Sequence, residues 1–95
     1  MPGPVPVHSA VPALATPFLV APERPTRRNI VIYNGAATDL YVSFFAGITL
    51  TNFTIKIPPA YWGTFARQSV YTGPIYGILY AADPGKFVQV TELVN

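Results

Sequence analysis

The sequence predicts an all-β fold: a small antiparallel β-sandwich or barrel of six to seven strands, with an extended Pro-rich N-terminal arm. Three observations lead there. Short runs of β-branched and aromatic residues recur along the chain, separated by Gly, Pro, Asn and Asp turn signals. No segment carries the apolar period of a helix. Seven of the eleven prolines fall in the first 25 residues, at Pro2, Pro4, Pro6, Pro12, Pro17, Pro22 and Pro25. There they exclude helix and disfavour a central strand. The expected organisation is therefore an arm over residues 1–25 and a β domain over residues 26–95.

Taken in order, the arm is expected to be extended and polyproline-like. At about 3.1 Å per residue it would reach on the order of 75 Å. Its Val11, Leu14, Phe18, Leu19 and Val20 are apolar, unlike a disordered tail. Such an arm suits lying on a surface, either a neighbour's or its own domain's. Ala15–Val20 reads as a possible edge strand in either case.

Arg27–Phe45 follows as two strands, Arg28–Tyr33 and Asp39–Phe45. The Asn34–Thr38 link between them reads as a hairpin loop, because Asn-Gly tolerates positive φ. Ala46–Asn52 reads as a loop or short irregular strand. Phe53–Ile57 alternates apolar and polar residues and reads as a strand ended by Pro58-Pro59. Tyr61–Arg67 is a further strand, with Gly63 as a bulge or close-approach site. Ile75–Ala81 is apolar on both faces. Asp83-Pro84-Gly85 carries turn chemistry, and Lys86–Leu93 closes the domain. The expected core draws on Ile30, Ile32, Leu40, Val42, Phe53, Ile55, Ile57, Phe65, Ile75, Ile78, Phe87, Val88 and Val90.

The chain is 51% hydrophobic and only 11% charged, against about 25% charged in ordinary soluble domains. A chain of 95 residues cannot hide that much apolar surface in its own core. A core this small supplies only about 3–5 kcal/mol. Both points lead to a protein that is covered by other chains, a homo-oligomer or a member of an assembly. Cysteine is absent, which removes disulfides and thiolate metal sites. The basic residues form no cluster beyond Arg24 with Arg27-Arg28, too thin for a nucleic-acid partner. No apolar run is long enough for a membrane span, and no signal peptide is expected.

Catalytic chemistry is hard to assemble. His8 is the single histidine and lies in the arm, without the partners a zinc site or a catalytic base needs. The acids Glu23, Asp39, Asp83 and Glu92 have ordinary strand, turn or ion-pair explanations, with Glu92 a candidate partner for Arg27 or Arg28. No enzyme activity, metal or cofactor is therefore expected. Aromatics are numerous: Tyr33, Tyr41, Tyr61, Trp62, Tyr71, Tyr76 and Tyr80. Tyr and Trp favour interfaces and also stack on sugars. Packing within the sandwich or between subunits, and a sugar-binding face, both remain open. The candidate interface residues are Val11, Leu14, Phe18, Leu19, Tyr41, Tyr61, Trp62, Tyr71 and Tyr76.

The order Arg28-Asn29-Ile30-Val31-Ile32-Tyr33-Asn34-Gly35, Asp39-Leu40-Tyr41-Val42, Ile57-Pro58-Pro59, Tyr71-Thr72-Gly73-Pro74-Ile75-Tyr76-Gly77-Ile78 and Val88-Gln89-Val90-Thr91-Glu92 resembles a group of small virion proteins. These are the small β-sandwich proteins encoded among tailed-bacteriophage structural genes. The resemblance covers residues 27–93 and rests on strand and turn chemistry; the long proline-rich arm departs from it. It implies a virion structural role of the capsid decoration or cement type. The implied partners are further copies of the chain, with a trimer favoured, and the major capsid protein or another virion protein. The implied location is the virion, assembled in the host cytoplasm. The alternative is a receptor- or carbohydrate-binding module of a tail fibre or spike.

Overall fold

The structure is a computed structural model, and it describes residues 5–64 and 71–94. These residues form eight strands: β1 (Val5–Pro12), β2 (Phe18–Ala21), β3 (Arg27–Asn34), β4 (Leu40–Ser43), β5 (Ile55–Ile57), β6 (Trp62–Thr64), β7 (Ile75–Leu79) and β8 (Phe87–Val94). They make two antiparallel four-stranded sheets, ordered β1-β8-β3-β6 (sheet A) and β2-β7-β4-β5 (sheet B). Side chains from both sheets share one core, so the sheets pack face to face as a sandwich.

The core follows from strand alternation. Ile30 and Ile32 of β3 and Val88 and Val90 of β8 point inward from sheet A. Val20, Leu40, Val42, Ile57, Ile75 and Leu79 meet them from sheet B. Gly63 lies where the layers come close, and Gly77 where side chains from the neighbouring strands of its own sheet fold over it. A Cβ on Gly63 would stand 3.1 Å from the tips of Ile55 and Ile57, and one on Gly77 2.8 Å from Val20. Of the other expected core residues, Ile55 is only partly buried and packs against the core. Ile78 is buried on the outer side of sheet B instead. Phe53 lies outside β5 and is exposed, and Phe65 falls outside the described residues. Phe87 is 44% exposed. Adjacent strand residues face opposite ways, so Phe87 and Val88 cannot both be inside, and β8 turns Val88, Val90 and Glu92 inward.

Two expectations are corrected. Residues 5–21 of the expected arm lie on their own domain, one of the two alternatives left open, and contribute an edge strand to each sheet. β2 overlaps the edge strand read at Ala15–Val20; the polyproline-like backbone and the boundary after residue 25 are what change. β1 pairs with β8 from Val5↔Val94 to Pro12↔Phe87, and β2 pairs with β7. Proline is tolerated on an edge strand where its nitrogen faces away from the ladder. Pro6 and Pro12 share one parity in β1, so both fit that requirement at once. Ala13, Phe18, Val20 and Ala21 then enter the core, so a boundary after Pro25 would divide the sandwich.

The second correction concerns Arg27–Phe45, which is no hairpin. β3 lies in sheet A and β4 in sheet B, and the Asn34–Asp39 corner carries the chain between layers. Asn34 holds this corner from a fully buried position. Its Nδ2 donates to the carbonyls of Thr38 (2.8 Å) and Ile57 (2.9 Å), and its Oδ1 accepts from Ala36 N (2.9 Å). Gly35 is required for space: a Cβ there would lie 2.5 Å from the Phe87 carbonyl oxygen. The Asp83–Lys86 turn matches its expected chemistry, with Gly85 at φ 83° and Lys86 N donating to Asp83 O (3.3 Å).

Candidate interaction surfaces

The buried charges come first, because they fix the ends of the sheets. Arg27 is 3% and Glu92 2% exposed. Arg27 Nε donates to Glu92 Oε2 at 2.6 Å, and Arg24 Nε donates to the same oxygen at 3.1 Å. The rest of the Arg27 guanidinium donates to the carbonyls of Tyr71 (2.8 Å), Gly73 (3.0 Å) and Pro22 (2.7 Å). A buried charge is tolerated when paired and hydrogen-bonded. This one ties β3, β8, the segment before β7 and the segment after β2 into one node. Its groups are engaged with one another, and its role is structural.

The outer side of sheet B is apolar and carries its own cover. Tyr41 of β4 and Ile78 of β7 point outward, and Ile48 of the β4–β5 connection packs on them beside Tyr76. Phe53 meets Tyr41 edge to face, with ring centroids 4.6 Å apart. Leu19 stands opposite Tyr76 across the β2–β7 ladder and is exposed. The covering connection also exposes Phe45, Leu50 and Phe53. Lys56, opposite Tyr41, is the charge in β5.

The outer side of sheet A is built differently. Cross-strand register sets its rows, since residues directly opposite share a face. One row runs Ala10, Gln89, Tyr33, Trp62, and the next runs His8, Thr91, Val31, Thr64. Leu93 pairs with Pro6 and Asn29, and Phe87 with Pro12, at either end. His8 bridges two rows: its Nε2 lies 2.9 Å from Gln89 Oε1 and its Nδ1 3.0 Å from Thr91 Oγ1. A neutral imidazole satisfies both, donating from Nε2 and accepting the Thr91 hydroxyl at Nδ1. The rows hold no Asp, Glu, Lys or Arg.

The nine candidate interface residues divide between these environments. Leu14, Leu19, Tyr61 and Trp62 are exposed. Phe18 is buried in the core and Tyr41 beneath Ile48, because each points to a side its own chain already covers. Val11 and Tyr71 are partly buried against the core, and Tyr76 against the Tyr41 cluster. Tyr71 stacks on Phe44 with centroids 4.3 Å apart. Sequence reasoning missed Phe45, Leu50 and Phe53 as surface residues, and the grouping of His8, Tyr33 and Gln89 with Trp62. The last was out of reach because it depends on which strands pair.

Among the described residues, no group of three or more His, Asp or Glu converges as a metal site would require. Nor do the described residues form a helix long and apolar enough to cross a membrane. No family model, curated protein or solved structure matches the chain.

Proposed function

We propose that this chain is a non-enzymatic structural protein of a tailed-phage virion. It would act as a capsid decoration or cement protein that self-associates, in threes, and bridges neighbouring capsid subunits. The observation that carries the reading is the outer side of sheet B. There Leu19, Phe45, Leu50 and Phe53 stand exposed beside a partly covered Tyr–Ile cluster, in a chain with only 11% charged residues. Exposed apolar surface of this kind marks a protein contact. The strand order is that of a jelly roll, an architecture used by viral capsid and lectin domains among others. A fold fixes no function, so the weight rests on the surface and on the resemblance of residues 27–93 to small virion proteins. Many shallow contacts, each weak, would add through multivalency on a repeating shell.

The test is sedimentation equilibrium on the full chain, beside mass spectrometry of purified particles from a phage that encodes it. The expected result is a trimer that Leu19→Asp with Phe53→Asp dissociates without loss of β-sheet circular dichroism, and a chain present in the particles. A monomer at high concentration that is absent from particles would overturn the proposal.

A further inference from the structure

We infer that the outer face of sheet A binds a neutral oligosaccharide, across the rows centred on Trp62, Tyr33, Gln89 and His8. The site is separate from the sheet B surface and does not require self-association.

Three properties of the face select this occupant. The first is its size. Four strands about 4.8 Å apart and a few alternate residues along each give roughly 300 Å². A stable protein interface needs about 800 Å² per partner, so a second copy is not held by this face alone. A short, flat ligand is matched to it.

The second property is charge. The rows through Gln89 and Thr91 contain aromatic, aliphatic, amide, hydroxyl and imidazole groups and no Lys, Arg, Asp or Glu; the exposed charge of β3, Arg28, lies at the start of that strand, outside them. A nucleic acid needs cations against its phosphates, and a charged peptide needs a counter-charge. A neutral sugar needs neither.

The third is the mixture itself. Trp62 is 64% exposed and stands directly opposite Tyr33, also exposed, across the β3–β6 ladder. A pyranose ring turns a patch of C–H bonds to one side, and these lie well on the negative face of an indole or phenol ring. Its hydroxyls project at the rim and need neutral donors and acceptors. Gln89 sits beside Tyr33 in the same row, its oxygen engaged by His8. Among the described residues its amide nitrogen has no partner, which leaves two donors for a sugar hydroxyl. The His8 bridge fixes that amide in place, so little side-chain freedom is lost on binding. His8 is thus a positioning residue.

Trp62 is the only tryptophan, so its fluorescence reports the site directly. The full chain is titrated with cellulose-type and starch-type hexaoses and with a hexamer of N-acetylglucosamine. The expected result is a saturable emission change with at least one of them and a Kd on the order of 10⁻⁴–10⁻³ M, as fits an open site with little enclosure. Binding is read in parallel from backbone amide NMR shifts. By that readout Trp62→Ala abolishes it, Gln89→Ala weakens it about tenfold, and Tyr80→Ala, an exposed tyrosine outside these rows, leaves it unchanged. Trp62 is exposed, so its truncation does not threaten folding. No response to any of the three probes at ten times the expected Kd overturns the inference. So does binding that survives Trp62→Ala. The oligomeric state of Trp62→Ala, measured by sedimentation, stays that of the parent, which keeps this result distinct from failure of the virion reading.

Discussion

Replacing Glu92 by Gln removes one charge from a node in which another stays buried. The shape is nearly kept, and Arg27 Nε retains an acceptor. What is lost is the anion 2.6 Å from a guanidinium that is 3% exposed. Breaking a buried pair by removing one partner costs about 3–5 kcal/mol, because the remaining charge is uncompensated. Here the three carbonyls of Pro22, Tyr71 and Gly73 still solvate Arg27, which places the cost near the lower end, about 3 kcal/mol. Arg24 adds little, since its side chain is 32% exposed and solvent screens it. A domain of this length is stable by about 5–14 kcal/mol. With a urea m-value near 1.2 kcal/mol/M, the midpoint would fall by about 2.5 M. The assay is urea unfolding followed by far-ultraviolet circular dichroism. The double variant Arg27→Met with Glu92→Met removes both charges but leaves the part-buried carbonyls of Pro22, Tyr71 and Gly73 short of donors, at about 1 kcal/mol each, so it should cost about 3 kcal/mol, much the same as Glu92→Gln. A loss below about 1 kcal/mol for Glu92→Gln would show that the carbonyls alone satisfy Arg27, and the reading of Glu92 as its counter-charge would be wrong.

Gly35→Ala should destabilise by about 2–3 kcal/mol in the same assay, because its Cβ would meet a backbone oxygen that cannot rotate away; a neutral result would mean the corner shifts freely. Ala60 adopts φ 62°, a conformation costing a non-glycine residue about 1–2 kcal/mol, so Ala60→Gly should raise the urea midpoint by an amount worth about 0.5 kcal/mol after its own entropy cost. A chain beginning at Thr26 loses both first edge strands and the core residues Ala13, Phe18, Val20 and Ala21, and its amide NMR spectrum should collapse to the narrow dispersion of an unfolded chain. A dispersed spectrum from it would restore the arm as a separable unit.

The elements that depend only on neighbours in sequence were legible. The run at Arg28–Tyr33 lies within β3, and the runs at Phe53–Ile57 and Ile75–Ala81 contain β5 and β7, because β-branched residues and turn signals act locally. What was not legible is where each strand goes. Asn34-Gly35 does turn the chain, but hairpin and corner use the same local chemistry. The choice is made by Asn34 reaching Ile57, 23 positions away. In β8 the phase was ambiguous because Phe87 and Val88 are both apolar. It is resolved by Glu92 turning inward to Arg27, 65 positions away. β1 escaped notice because polyproline and β backbones are both extended, and prolines argue against a strand until it is known to be an edge. The shared parity of Pro6 and Pro12 is the one local trace of it. The surface followed the same rule: exposed aromatics were visible as a count, but their grouping was set by register.

The topology itself explains why the two outer faces differ. Six of the seven links join a strand in one sheet to a strand in the other, as the order β1-β8-β3-β6 over β2-β7-β4-β5 demands. A link that changes layer must pass around an end or edge of the sandwich to reach the other sheet. Only β4 to β5 stays within one sheet. That connection folds back over its own sheet and places Ile48 on Tyr41 and Ile78 of sheet B. No link between consecutive described strands stays within sheet A. Its rows instead alternate aromatic and aliphatic groups with Gln89, Thr91, Thr64 and His8, groups that tolerate water. The apolar face suited to assembly and the neutral, aromatic-polar face suited to a sugar thus lie on opposite sides of the sandwich. A protein fixed to a surface through sheet B would hold Trp62 and Tyr33 out to solvent, where a ligand could reach them while the subunits remain joined.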